Sequence, residues 1–213
     1  MLSMPKCGLY AITPDGKTAD DILKFTEAVL KGGAKIVQYR SKLPPLKGGG
    51  GDVLLVQQLR ELCHAHNVPL IINDNVELAE IIGADGVHLG ADDGSILEAR
   101  QRLGESAIIG VSCYNSLEMA IVAEKQGANY VAFGRFFTSN SKPLAAPAEI
   151  GTLTAAKKTL TLPIIAIGGI LPENGALLLD AGADLLAVIG GLDTENPMVS
   201  AQMFTALFSQ SDC

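Results

Sequence analysis

Short apolar runs, partly β-branched, alternate along the chain with longer stretches that carry apolar residues at helical spacing. The short runs read as buried strands: CGLYAIT (7–13), KIVQY (35–39), VPLIIN (68–73), DGVHL (85–89), AIIGVS (107–112), NYVAF (129–133), LPIIAIG (162–168) and DLLAVI (184–189). Amphipathic patterns such as DDILKFTEAVLKG (20–32), VELAEIIG (76–83), SLEMAIVAEKQG (116–127) and ENGALLLDAG (173–182) read as helices.

A repeat organises the alternation. Gly33-Ala34, Gly83-Ala84, Gly127-Ala128 and Gly182-Ala183 each follow a helical stretch and precede an apolar run. Glycine just past a last helical turn adopts the left-handed backbone at little cost and ends the helix. Strands that are apolar throughout are buried on both faces, as parallel strands covered by helices are. Eight strand–helix units predict an α/β protein, a (β/α)8 TIM barrel. An open doubly wound sheet needs a glycine-rich loop after its first strand, and ITPDGKT does not supply one. Residues 1–213 read as a single domain, with two long connections, 40–52 and 134–148, on the rim where barrel chemistry sits.

Composition narrows the function. The chain is 48% hydrophobic and 18% charged, with a net charge of −7 from 16 basic and 23 acidic residues. An acidic protein lacks the basic footprint of a nucleic-acid binder. No apolar run reaches the length of a membrane span, and the N-terminal residues do not resemble an export signal. A cytoplasmic protein is expected, with no nucleic-acid or membrane partner; a homo-oligomer is left open. Cys7, Cys63, Cys113 and Cys213 are scattered and read as free thiols.

Polar residues gather at the C-terminal ends of the strands, where barrel active sites lie. Gln38, Arg40 and Lys42 follow the second strand, Asn73 and Asp74 end the third, and His88 and Asp93 the fourth. Ser112 ends the fifth, and Arg135, Ser139, Ser141 and Lys142 follow the sixth. Gly168-Gly169 and Gly190-Gly191 follow the seventh and eighth, where bare backbone amides can cradle a phosphate. Asp74 and Asp93 either share a divalent ion, with Mg²⁺ taking further oxygens from substrate and water, or cap helices. His64 and His66 lie two apart on a helix and cannot act together. His88 reads as a hydrogen-bonded histidine at the barrel mouth, and no general base is evident.

The segments Gln38-Tyr39-Arg40-Ser41-Lys42, VPLIINDN (68–75), GADGVHLGADD (83–93), IGVSCYN (109–115), GRFF with SNSK, and PIIAIGGI (163–170) resemble the thiamine-phosphate synthase family over nearly the whole chain. That resemblance implies a Mg²⁺-dependent transferase of thiamine biosynthesis acting on small phosphorylated substrates. It joins 4-amino-2-methyl-5-hydroxymethylpyrimidine diphosphate to 4-methyl-5-(2-phosphoethyl)thiazole and releases pyrophosphate. It also implies that Gln38, Tyr39, Arg40, Ser41, Lys42, Asn73, Ser112 and Lys142 bind the pyrimidine diphosphate, with Arg40, Lys42, Ser112 and Lys142 catalytic. Ser139, Asn140, Ser141, Gly169, Ile189 and Gly190 would bind the thiazole phosphate, and Asp74 and Asp93 the Mg²⁺. Departures from the family pattern are Ala91 in place of Gln, Ser139 and Ser141 in place of Thr, and Gly190 in place of Ser. The alternatives are a related thiazole tautomerase and a paralogue that senses a thiamine precursor without turnover.

Overall fold

The computed structural model describes residues 1–41, 50–90, 93–138 and 146–208. Strand and helix alternate eight times: β1 (Gly8–Ile12), α1 (Ala19–Lys31), β2 (Ile36–Tyr39), α2 (Gly50–Ala65), β3 (Leu70–Asn73), α3 (Val76–Ile82), β4 (Gly86–Leu89) and α4 (Ile96–Leu103), then β5 (Ile108–Tyr114), α5 (Leu117–Lys125), β6 (Tyr130–Phe133), α6 (Ile150–Thr159), β7 (Ile164–Ile167), α7 (Pro172–Asp180), β8 (Leu185–Val188) and α8 (Pro197–Phe208). Each strand pairs in parallel with the next, and β8 returns to β1 with Gly8 opposite Leu185 and Ala11 opposite Val188. The result is the closed (β/α)8 barrel that the eight repeated units require.

Side-chain alternation sorts each strand between two apolar layers. One layer fills the barrel, with Tyr10, Ile12, Ile36, Ile71, Ile108, Tyr130, Ile165 and Leu185. The other lies between barrel and helices, with Leu9, Val37, Leu70, Val87, Val131 and Leu186 on the strands against Phe25, Leu59, Leu153 and Phe204 on the helices. Each fully buried side chain of this size contributes about 1.5–3 kcal/mol relative to exposure. Helices start where side chains cap them: Thr18 Oγ1 accepts from Asp21 N at 3.2 Å, and Ser95 and Glu98 close a reciprocal box on α4.

The Gly-Ala repeat has a structural meaning that extends one residue further. Gly33, Gly83, Gly127 and Gly182 all have positive φ, between 63° and 113°. Three of the four repeats place a side-chain oxygen after the alanine that binds the start of the preceding strand. Asp85 accepts from Leu70 N at 2.9 Å, Asn129 from Ile109 N at 2.8 Å and Asp184 from Ile164 N at 2.9 Å. This polar ring satisfies backbone donors at the N-terminal end of the barrel and leaves the opposite end for chemistry. Asp85 is wholly buried, and it also receives Leu2 N and faces His64 Nε2 at 2.8 Å.

Two expectations change. Helix α2 starts at Gly50, inside the stretch read as the 40–52 connection, so two of the four consecutive glycines are helical. Cys7 is disulfide-bonded rather than free; its distance along the sequence from the other cysteines says nothing about distance in the fold. Cys63 and Cys113 are free and buried, and burial pushes both thiols up to about 12, Cys63 with some help from Asp85.

Candidate active site

The C-terminal mouth of the barrel holds a cavity of about 950 Å³. Gln38, Arg40, Ser41, Asn73, Asp74, Asp93, Ser112, Gly169, Ile189 and Gly190 all line it, although they come from six different strand ends. Tyr39 does not. Alternation along β2 points Gln38 inward and Tyr39 outward, and the Tyr39 ring packs in the layer between barrel and helices. Lys42, Ser139, Asn140, Ser141 and Lys142 lie outside the described residues, as do Ala91 and Asp92.

Arg40 is only 9% exposed and is held on both sides of its backbone. Its N–H donates to Thr13 Oγ1 at 2.9 Å, and Thr13 Oγ1 donates back to its carbonyl at 3.3 Å. The guanidinium Nη1 is paired with the Asp15 carboxylate. Asp15 sits in the β1–α1 loop, where the sequence reading found only the absence of a nucleotide-binding glycine pattern. Arg135 is a second guanidinium on the cavity wall. The two guanidinium groups thus stand at the mouth beside the carboxylates of Asp15, Asp74 and Asp93.

The carboxylates are placed by their loops. Asp74 has φ +63° and donates its backbone N–H to the His88 carbonyl at 2.8 Å, joining the ends of β3 and β4. The Asn73 amide donates to Asp74 Oδ2 at 2.5 Å. Asp93 Oδ2 accepts from Gly90 N at 2.9 Å, and a Cβ on residue 90 would fall 2.5 Å from that oxygen. Among the described residues no three His, Cys, Asp or Glu side chains cluster into a self-sufficient metal site. Asp74 and Asp93 both line the mouth, and hard carboxylates are the donor type that Mg²⁺ takes alongside phosphate and water oxygens.

Of the four glycines that follow β7 and β8, Gly168, Gly169 and Gly191 are crowded and Gly190 is not. Gly168 and Gly169 have positive φ and are crowded from outside: an added Cβ would lie 2.2 Å from Arg135 Cβ and 2.4 Å from the Thr138 carbonyl respectively. They let the chain after β6 pack against the end of β7, where Phe137 N donates to the Gly168 carbonyl at 3.0 Å. Asn174 fastens the same turn, accepting from Leu171 N and donating to the Gly169 carbonyl. At Gly190 an added Cβ would meet nothing within 4 Å. Its missing side chain opens cavity space rather than relieving a clash, as a phosphate approaching backbone amides requires.

Inside the cavity floor runs a polar chain that crosses the barrel. Gln38 Nε2 donates to Tyr10 Oη at 2.8 Å, and Tyr10 Oη lies 2.9 Å from Tyr130 Oη. Tyr130 Oη is 3.0 Å from His88 Nδ1, and His88 Nε2 is 2.9 Å from Ser112 Oγ. The rings pack as well as bond: Tyr130 stacks on His88 at 5.6 Å and meets Tyr10 edge-on at 5.9 Å. Burial raises both phenols well above their ordinary value, so both stay protonated. His88 is the bonded barrel-mouth histidine expected from its position at the end of β4. The two tyrosines were missed because each sits within a strand whose neighbours are apolar.

Fold and mouth together define a (β/α)8-barrel enzyme whose wide cavity brings together cations, carboxylates and bare backbone amides. Residues 9–192 match the family described as thiamine monophosphate synthase. The chain is 50% identical over 188 residues to a thiamine-phosphate synthase of Methylococcus capsulatus, covering 88% of this chain and 83% of that one. It is 53% identical over 188 residues to the Marinobacter nauticus thiamine-phosphate synthase, covering 87% and 82%. The solved thiamine phosphate pyrophosphorylase from Pyrococcus furiosus superposes with a TM-score of 0.85 at 30% identity, covering 96% of each chain. The chain belongs to the thiamine monophosphate synthase family and so to the transferases of thiamine biosynthesis, as the sequence motifs implied.

Proposed function

We infer that this cavity binds the pyrimidine diphosphate and the thiazole phosphate side by side and joins them into thiamine phosphate. The observation that carries this reading is the convergence of Arg40, Asp74, Asp93, Ser112, Gly169 and Gly190 on one cavity. The reaction breaks the bond between the pyrimidine methylene and the diphosphate oxygen, whose electron pair leaves with pyrophosphate. The thiazole nitrogen lone pair forms the new carbon–nitrogen bond. No proton has to be removed to make that bond, which suits a site whose histidine is already bonded on both ring nitrogens.

Arg40 offers a planar, permanently charged fork to the departing diphosphate. Its backbone bonds to Thr13 and its pairing with Asp15 hold that fork before substrate arrives, so less reorganisation is needed as charge develops. Lys42 and Lys142 are proposed to add point charges to the same group. Mg²⁺ bound by Asp74 and Asp93 would supply further charge neutralisation at the leaving group. Gln38, Asn73 and Ser112 orient the pyrimidine, while backbone amides at Gly169 and Gly190, beside Ile189, receive the thiazole phosphate. Ser139, Asn140 and Ser141 are assigned to that same phosphate.

Purified protein incubated with both precursors and Mg²⁺ tests this reading. Thiamine phosphate and pyrophosphate in equal amounts are expected. Isomerised thiazole phosphate alone would favour a tautomerase, and binding without any product would favour a sensor.

A further inference from the structure

We propose that the chain Gln38–Tyr10–Tyr130–His88–Ser112 is a one-way hydrogen-bond relay in which Gln38 sets the direction, making Ser112 a donor into the cavity. Tyr10 and Tyr130 are then positioning residues that act on substrate through Ser112, and Gln38 sets their order in addition to facing the pyrimidine itself. The catalytic use of that donor rests on the reaction proposed above; its direction does not.

The direction follows from counting protons. Gln38 Nε2 donates to Tyr10 Oη, so the Tyr10 proton must go elsewhere. Among the described residues the acceptor within reach is Tyr130 Oη, 2.9 Å away. Were Tyr130 to donate to Tyr10 instead, the Tyr10 proton would be left without a protein acceptor among the described residues, on a side chain that is 1% exposed at the cavity floor. With Tyr10 donating, the Tyr130 proton has His88 Nδ1 at 3.0 Å as its acceptor. A nitrogen that accepts carries no proton, so His88 is neutral with its proton on Nε2, where Ser112 Oγ receives it at 2.9 Å. Ser112 Oγ accepts from the ring, and its own proton is turned towards the cavity that it lines. Under the proposed reaction this proton is offered to an acceptor atom of the pyrimidine substrate.

Packing explains why the relay can cross the barrel. Tyr130 reaches His88 over Gly110, where any side chain would occupy the ring's place: an added Cβ would lie 1.9 Å from Tyr130 Cζ. Burial keeps both phenols protonated at ordinary pH, so each has one proton to donate along the chain.

Nitrogen-15 NMR of histidine-labelled full-length protein reads the tautomer directly. The chain has three histidines, and His64→Gln and His66→Gln variants identify the His88 signals. The wild type is expected to show one neutral His88 with its proton on Nε2. Gln38→Glu, measured at pH 8, presents an acceptor in place of the donor and should reverse the relay, moving the proton to Nδ1. A wild-type His88 protonated on Nδ1, or on both nitrogens, overturns the proposal; so does a folded Gln38→Glu protein whose His88 remains protonated on Nε2. The wild-type spectrum decides even if Gln38→Glu does not fold. The product assay is separate: thiamine phosphate formed by protein with an Nδ1-protonated His88 sinks the relay and keeps the reaction. The Nε2 form in protein that makes no product keeps the relay and sinks the reaction.

Discussion

Gly110 on β5 lies opposite Tyr130 on β6, and the Tyr130 ring occupies the space that a side chain at 110 would need. The glycine is therefore the complement of an aromatic ring rather than a weak point in a strand. Gly110→Ala is expected to displace Tyr130 and to destabilise the fold by about 1–3 kcal/mol, the usual range for overpacking. A urea denaturation midpoint measures the loss. An unchanged midpoint would mean that the ring has room to move.

The Asp15–Arg40 pair predicts a different kind of effect. Removing the carboxylate leaves a guanidinium that is 9% exposed without its counter-ion. Asp15→Ala should cost the unliganded protein about 1–3 kcal/mol, and bound pyrophosphate should raise the melting temperature more in the variant than in the wild type, because it replaces the missing anion. Thermal melts with and without pyrophosphate test this. Equal ligand-induced shifts would separate Arg40 from the pyrophosphate.

Asp93 is held over Gly90, with Oδ2 accepting the Gly90 N–H. Under the proposed function, Asp93→Ala raises the Mg²⁺ concentration for half-maximal activity by at least the roughly 10–100-fold that loss of an outer-shell partner costs a metal site. A Mg²⁺ titration of activity is the measurement. An unchanged requirement would make Asp93 a loop fastener only.

Glu124 gives a pH-dependent prediction away from the mouth. Its Oε1 receives Thr161 N at 2.7 Å, Thr161 Oγ1 at 2.8 Å and Leu162 N at 3.3 Å, tying α5 to the segment before β7. The backbone bond from Thr161 leads these contacts in lowering its carboxyl below the ordinary 4.5. A carboxylate lowered on folding adds stability that is full above its unfolded value and lost as pH falls through its folded value. Glu124→Gln should therefore be less stable than wild type at pH 7, with the gap closing below about pH 4. Paired melts across pH 3–7 check this, and a gap that stays constant would contradict it.

The architecture was legible because the apolar runs and the Gly-Ala repeat are local signals. Seven of the eight strands fall inside the run that announced them, from Gly8–Ile12 within 7–13 to Leu185–Val188 within 184–189, and β5 continues two residues past its run to Tyr114. Rim residues such as Arg40, Asp74 and Ser112 were legible because polar groups at strand ends stand out against apolar strands. The Tyr39 side chain lies behind the barrel wall because strand alternation turns it away from the mouth, which a motif read as a block does not register. Tyr10 and Tyr130 were invisible for the opposite reason. Within LYAI and NYVAF they look like core, and only closure of the barrel brings two hydroxyls 120 positions apart within bonding distance. Asp15 was missed because its partner Arg40 is 25 positions away. The Asp85, Asn129 and Asp184 contacts likewise needed the strand register before their purpose could be read.

Diffraction from crystals grown with pyrophosphate, Mg²⁺ and the thiazole phosphate tests the central claim most directly. Pyrophosphate should lie against Arg40, a metal ion should touch Asp74 and Asp93, and the thiazole phosphate should rest on the amides of Gly169 and Gly190. Ligands ordered elsewhere on the protein, with this mouth left to solvent, would contradict it.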